Sequence, residues 1–169
     1  MECWDIWDCR GQKTGKCLQP GEALPAGYYT LLVHILLYHP DGRILLQKRS
    51  MSKQFYPGAW DITGGRVMAG EESIAAAIRE VREELGIALF PDGLVWLARL
   101  RHQRCFCDIW AAEISLSTDQ MILQSAEVDA VRFADANEAI QTIGYNKEPA
   151  YIAVLREFAE KMKNDSHHS

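Results

Sequence analysis

The sequence contains no hydrophobic run long enough to cross a membrane. Its longest apolar stretch, Leu31 to Tyr38, is interrupted by His34 and falls far short of the roughly 20 residues that a spanning helix requires. The first residues include neither the basic segment nor the apolar segment of a secretion signal. We therefore expect a cytoplasmic protein that does not engage a membrane.

The cysteines form no ligand pattern. The five cysteines, an odd number without a CxxC pair, are Cys3, Cys9, Cys17, Cys105 and Cys107. Zinc fingers need closely spaced cysteine and histidine ligands, and the nearest histidines do not have that spacing. Because an export signal is missing, we expect these thiols to be reduced.

A basic excess and internal repeats are also missing. The 18 Lys and Arg residues against 23 Asp and Glu give a net charge of −5, so a nucleic acid polymer is not an expected partner. A chain of 169 residues with 48% hydrophobic and 24% charged residues fits one globular domain. We expect that domain to cover residues 1–163, starting with a hairpin and loop over 1–27, and to be followed by a flexible polar tail over 164–169.

The apolar pattern predicts strands, then a helix, then more strands and two helices. Strands are expected within 4–18, over 28–38 and 43–49 as a hairpin, at 60–65, and over 94–101, 105–114 and 128–133. Helices are expected over 73–85, where Gly86 is in the usual C-terminal cap position, after Asp135, and over 151–163. Asp135 and Glu138 together resemble a capping box. This order predicts an α/β sandwich with a mixed sheet and not a doubly wound one.

The helix over 73–85 carries three acidic residues on one face. Glu80, Glu83 and Glu84 are separated by three and four positions, so their carboxylates repel one another. A hard divalent cation such as Mg²⁺ offsets that repulsion, because it prefers oxygen ligands. A solvated acidic face is the alternative. The opposite face is expected to be buried, with Glu84 facing solvent and metal.

A longer pattern surrounds these acids. Gly65 is followed after five residues by Glu71, and after seven more by Arg79-Glu80, an aliphatic residue, one residue, Glu83-Glu84, one residue, and Gly86-Ile87. The stretch Gly65 to Ile87 resembles the complete signature of the Nudix hydrolases. The resemblance implies a Nudix αβα sandwich with a mixed β-sheet, to which this chain adds an N-terminal hairpin.

The resemblance also implies roles for individual residues. It assigns the metal-ligand positions, for Mg²⁺ or Mn²⁺, to Glu80, Glu83, Glu84 and the carbonyl of Gly64. It implies that Arg79 pairs with acidic residues and orients them, with Glu71 close to it, and that Gly64 and Gly65 let a phosphate chain approach the backbone.

The implied reaction is attack of water on a phosphorus of a diphosphate linked to another group, X. The substrate is then a nucleoside diphosphate derivative or a similar small molecule. The general base is expected to be Glu80 or Glu84, or else Glu127, which precedes a strand and has a surface position as its simpler interpretation. A homodimer is plausible by resemblance only.

Other segments resemble a Nudix branch related to isopentenyl-diphosphate isomerases: Trp4 to Asp8 with Thr14-Gly15-Lys16, and Leu45 to Ser50 with the residues up to Asp61. In that branch basic residues of this stretch hold diphosphate, which makes Lys48, Arg49 and Lys53 candidates. The isomerases place a cysteine where this chain has Gly64, and Thr30 replaces their metal-binding histidine, so hydrolysis is expected over isomerisation.

Two further alternatives remain open at this stage. A non-catalytic nucleotide-binding module is one, although such modules commonly lose the acidic residues that this chain keeps. Among single residues, His34 is expected to be a satisfied core histidine, and Trp60 either packs in the core or stacks on a substrate group.

Overall fold

A computed structural model describes residues 2–144 and 148–166. The strands are β1 (Trp4–Trp7), β2 (Lys13–Leu18), β3 (Thr30–Tyr38), β4 (Ile44–Arg49), β5 (Trp60–Asp61), β6 (Thr63–Arg66), β7 (Leu94–Arg101), β8 (Cys105–Glu113) and β9 (Val128–Ala134). The helices are α1 (Ser73–Leu85), α2 (Ala136–Thr142) and α3 (Pro149–Ser166). In these ranges no helix is long and apolar enough to cross a membrane.

The central strand β3 organises a mixed sheet. It pairs in parallel with β8 along its whole length and antiparallel with β6. It meets β4 only at Tyr38 and Ile44, so the predicted hairpin is present at its corner alone. Beyond that corner β4 pairs with β5 and β9, while the neighbouring segment β6 pairs with β3. The resulting separation of β3 from β4 creates room for a site.

Helices cover both faces of this sheet. Because strand side chains alternate, Val33 and Leu45 belong to the core that contains α1, whereas Leu36 and Leu46 belong to the core that contains α2 and α3. The helix α1 ends at Gly86, whose φ of 68° is the left-handed conformation that glycine adopts without strain. The predicted αβα sandwich with a mixed sheet is confirmed.

The N-terminal hairpin docks onto the sandwich through backbone hydrogen bonds. Trp7 and Tyr29 exchange N–H···O bonds of 2.8 and 2.9 Å. The Ala69 N–H donates to the Cys3 carbonyl at 2.8 Å, and the Gly70 N–H donates to Asp5 Oδ2 at 3.0 Å. The hairpin is therefore fixed to the loop that precedes α1.

The C-terminal helices differ from expectation at their ends. The Glu138 N–H donates to Asp135 Oδ1 at 2.9 Å, but the Glu138 carboxylate pairs with Arg132, so only half of the predicted capping box forms. Helix α3 begins at Pro149 and continues through Ser166. Residues 164–166 of the predicted tail are thus its last turn, and 167–169 lie outside the described residues.

Candidate active site

A cavity of about 430 Å³ opens between α1 and the region where β3 and β4 separate. Acidic residues of α1, the glycines of β6, and basic residues of β4 and of the loop after it all line this cavity. The lining includes Gly64, Gly65, Arg79, Glu80, Glu83, Glu84, Arg49, Lys53 and Glu127. Most of the site residues predicted from the sequence are therefore brought together in one space.

Arg79 holds the acidic residues in place. Its Nε and Nη2 donate to the two carboxylate oxygens of Glu71 at 2.9 and 3.0 Å. Its Nη1 donates to Glu80 at 2.8 Å and to Glu83 at 3.3 Å, and Nη2 also reaches the Arg66 carbonyl at 3.0 Å. One planar guanidinium thus ties the start of the motif to the acidic face of the helix.

The electrostatics of this cluster follow from its burial. Burial alone would raise the pKa of Glu71, but the hydrogen bonds from Arg79 and from the Met68 N–H lower it below its ordinary value. Glu80 is buried more deeply, and that burial raises its pKa despite the guanidinium of Arg79. Hydrogen bonds therefore stabilise the charged form of Glu71, whereas the contacts of Glu80 do not fully offset the cost of burying its negative charge.

Glu84 is buried, with only 6% of its surface exposed, so the expectation that it faces solvent is wrong. Its Oε2 accepts a hydrogen bond of 2.9 Å from Gln47 Nε2, and Gln47 Oε1 accepts one of 3.0 Å from the Thr63 hydroxyl. Burial raises the pKa of Glu84 to about 7; the Gln47 bond opposes this, and the negative charge of Glu80 adds to it. Gln47 is a site residue that the motif did not indicate, since it lies on β4.

Two glycines leave the space that the cluster occupies. A Cβ at Gly65 would lie 2.2 Å from the Glu80 carboxyl carbon. A Cβ at Gly64 would lie 2.4 Å from the Val33 carbonyl oxygen and 2.6 Å from His34 Cδ2. Position 65 requires glycine to leave room for the Glu80 carboxylate, and position 64 requires it so that β6 can pair closely with β3. A cysteine at position 64, as in the isomerases, would not fit this backbone.

Arg49 of β4 and Lys53 of the loop after it line the cavity, and Lys53 forms an ion pair with Glu127. Lys48 is not among the residues that line the cavity. Because side chains alternate along β4 as far as Lys48, Lys48 shares the face of Leu46, opposite to Gln47. The structure therefore brings two of the three predicted basic residues to the site.

Aromatic and imidazole groups complete the lining. Trp4 of the hairpin borders the cavity, with the Arg66 guanidinium 4.6 Å from its ring centroid. Trp60, the predicted stacking candidate, instead lies under Arg132 at 5.0 Å and does not line the cavity. His34 does line it, and burial lowers the pKa of its imidazole. No local pattern predicts that Trp4 lies at the cavity, because its place depends on how the hairpin docks.

A hard divalent cation fits the donor set of this cavity. Three carboxylates and the strand that carries Gly64 border one space, and burial destabilises the charge of Glu80 and Glu84. Added positive charge would compensate them, and oxygen donors suit Mg²⁺ or Mn²⁺. Within the described ranges, however, no three acidic, histidine or cysteine side chains are grouped as a formed metal site. In this arrangement Arg79 and Gln47 take up carboxylate oxygens.

Comparison with known proteins assigns the family. Residues 29–155 match the NUDIX domain. An uncharacterized Nudix hydrolase of Listeria monocytogenes is 34% identical over 139 residues, covering 82% of each chain. The chain belongs to the Nudix family, whose curated relatives are named hydrolases, and the sequence prediction of a Nudix hydrolase is confirmed.

Solved structures agree on the fold. A protein of Deinococcus radiodurans, DR0079, superposes with a TM-score of 0.73 at 22% identity, covering 92% of this chain and 98% of that one. The Nudix domain of Shewanella oneidensis NrtR, solved with ADP-ribose, gives 0.61 at 18% identity, covering 83% and 92%. The narrower resemblance to isomerase-like Nudix proteins stays a prediction.

Proposed function

We propose that this protein is a divalent-cation-dependent hydrolase that cleaves the diphosphate linkage of a nucleoside diphosphate derivative or a similar small molecule. One observation carries the proposal: a single cavity is lined both by the acidic cluster organised by Arg79 and by the cations of Arg49 and Lys53. A diphosphate needs both, because its own charge must be neutralised while a cation is held beside it.

The acidic side would hold the cation. Glu80, Glu83, Glu84 and the carbonyl of Gly64 are the proposed ligands of Mg²⁺ or Mn²⁺. When bound, the cation supplies charge neutralisation of the diphosphate, polarisation of phosphorus and a lowered pKa for water. Arg79 orients these ligands, since its hydrogen bonds to Glu80 and Glu83 hold both carboxylates in position before the cation binds.

The remaining residues position the substrate. Arg49 and Lys53 attract the phosphate oxygens, and Gly65 leaves the room beside β6 that the Glu80 carboxylate occupies. Lys48 faces away from the cavity and has no direct part in this proposal.

Three glutamates are candidates for accepting the proton of the attacking water. Glu80 is held by Arg79, Glu84 by Gln47, and Glu127 by Lys53. All three line the same cavity. Single Gln substitutions at the three positions, compared by kcat with saturating cation, separate a base from a ligand because ligand loss is partly recovered at high cation concentration.

The test is a phosphate-release panel in Mg²⁺ and then in Mn²⁺. It covers nucleoside di- and triphosphates, nucleotide sugars, dinucleotides, ADP-ribose and isopentenyl diphosphate, with phosphatase coupling for phosphomonoester products. We expect turnover of one class, abolished in Glu84→Gln and unchanged in Glu160→Gln, an exposed glutamate of α3.

Other results would point to the alternatives. Nucleotide binding without turnover of any substrate would indicate a binding module. Formation of the isomeric alkene from isopentenyl diphosphate, without phosphate release, would indicate an isomerase. Either result would overturn the proposed hydrolysis.

A further inference from the structure

His34 lies on β3 at the wall of the cavity and is paired with a buried tyrosine. Its Nδ1 is 2.8 Å from the Tyr151 hydroxyl, and the two rings meet edge to face with centroids 5.5 Å apart. Tyr151 comes from α3 and is fully buried, while His34 retains 6% of its surface. Both residues are thus held rigidly between the sheet and the last helix.

The small exposed part of the His34 surface lies at the cavity. His34 lines the cavity together with its neighbour on β6, Gly64. The imidazole Cδ2 is only 2.6 Å from the place that a Cβ at Gly64 would take. The edge of the imidazole that carries Cδ2 and Nε2 therefore occupies the space that a side chain at position 64 would take. It lies beside the Gly64 carbonyl, which is proposed to hold the cation.

We propose that His34 is a substrate-binding residue, and that its Nε2–H donates a hydrogen bond to a substrate oxygen beside Gly64. Tyr151 is the positioning residue: its hydroxyl donates to Nδ1 and thereby places the imidazole proton on Nε2. The group recognised is an oxygen acceptor, either a phosphoryl oxygen of the diphosphate or a hydroxyl of the X group next to it. This inference rests on the proposed function, because it takes the cavity to be the diphosphate site.

A purely structural role accounts for less of the geometry. A core histidine satisfied by Tyr151 needs no contact with a cavity, and a larger residue than glycine at 64 would cover the ring edge. Here His34 lines the cavity beside Gly64, which has no side chain to cover the ring. A neutral donor there adds recognition without adding charge to an already crowded electrostatic site.

The first test measures the tautomer and needs no substrate. Long-range ¹⁵N–¹H NMR of the histidine-labelled protein at pH 8, where an ordinary imidazole is neutral, distinguishes Nε2–H from Nδ1–H. We expect Nε2–H for His34 in the wild type and a mixture in Tyr151→Phe. A wild-type Nδ1–H tautomer would overturn the proposal, whether or not the protein proves to be a hydrolase.

Two probes then distinguish the sources of the oxygen. Imidodiphosphate with Mg²⁺ carries phosphoryl oxygens alone, and α,β-methylene-ADP with Mg²⁺ adds the nucleoside. A shift of the His34 Nε2 resonance with both probes indicates a phosphoryl oxygen, and a shift with the second alone indicates the X group. An unmoved resonance at concentrations that shift the Gly64 and Gly65 amides would refute the contact.

Kinetics with the substrate found in the panel provide the last arm. We expect His34→Leu to raise KM about tenfold with little change in kcat, the usual cost of one neutral hydrogen bond. His34→Gln, which keeps a donor, should recover part of that loss, and Tyr151→Phe should raise KM less. Tyr38→Phe, which removes another tyrosine hydroxyl from the interface of β3 with α3, is the matched control.

The readouts separate two kinds of failure. A panel without turnover contradicts the proposed function, whereas turnover with unchanged KM in His34→Leu contradicts only the role of His34. Thermal unfolding of each variant must first match the wild type, so that a loss of packing is not counted as a loss of binding.

Discussion

Adding one methyl group at Gly65 gives a direct test of how the acidic cluster is built. The new Cβ would lie 2.2 Å from the Glu80 carboxyl carbon, whereas ordinary contact begins at 3.4 Å. The carboxyl group must therefore move by more than 1 Å. The obstacle is the end of a flexible side chain and not backbone, so we expect Gly65→Ala to fold and to lose function instead.

The magnitude follows from that displacement. A misplacement of about 1 Å at a catalytic group costs roughly 100-fold in rate, and we expect kcat/KM of Gly65→Ala to fall by about that factor. The measurement is the phosphate-release assay with the substrate found in the panel, together with a thermal melt. Higher Mn²⁺ should recover little, because the ligand is displaced and not merely weakened.

Two other glycines serve as controls. Gly93→Ala meets nothing within 4 Å, so its activity and melting temperature should match the wild type. Gly64→Ala would meet the Val33 carbonyl at 2.4 Å, so it should lower stability as well as activity. Wild-type kcat/KM in Gly65→Ala would refute the placement of Glu80 against β6.

Two further substitutions test the ion pairs. A lysine at position 79 cannot donate two hydrogen bonds to Glu71 while it also holds the acidic residues of α1. We therefore expect kcat/KM of Arg79→Lys to fall about 10- to 100-fold in the phosphate-release assay. An equal loss in Arg82→Lys, which changes an exposed arginine of the same helix, would contradict this explanation. Arg99→Met leaves the fully buried carboxylate of Asp108 without its two hydrogen bonds of 2.5 and 2.8 Å. Denaturant unfolding should therefore show that the free energy of unfolding falls by about 3 kcal/mol. An unchanged denaturation midpoint would mean that water or another group compensates the charge of Asp108.

Local features were the most predictable part of the molecule. The helix over 73–85, its glycine cap and the nearness of Glu71 to Arg79 all depend on residues within one short segment, and the structure has each of them. Their spacing alone constrains which side chains meet. The apolar segments over 28–38 and 105–114 likewise predicted strands, which the structure has as β3 and β8.

Features that depend on distant segments were not predictable. Glu84 is buried, and the residue that donates a hydrogen bond to it there, Gln47 of β4, comes 37 positions earlier in the chain. Trp4 borders the site only because the N-terminal hairpin docks onto the loop that precedes α1. None of these contacts leaves a local pattern in the sequence.

The central claim, that the buried carboxylates of α1 hold a divalent cation, is tested most directly by Mn²⁺ binding. Electron paramagnetic resonance of free Mn²⁺ measures the affinity of the wild type, Glu84→Gln and the control Glu160→Gln without any substrate. Gln at 84 keeps the volume and can still accept from Gln47, so the fold should persist. We predict that affinity falls at least about tenfold in Glu84→Gln and is unchanged in Glu160→Gln. Equal Mn²⁺ affinity in all three proteins would contradict the account.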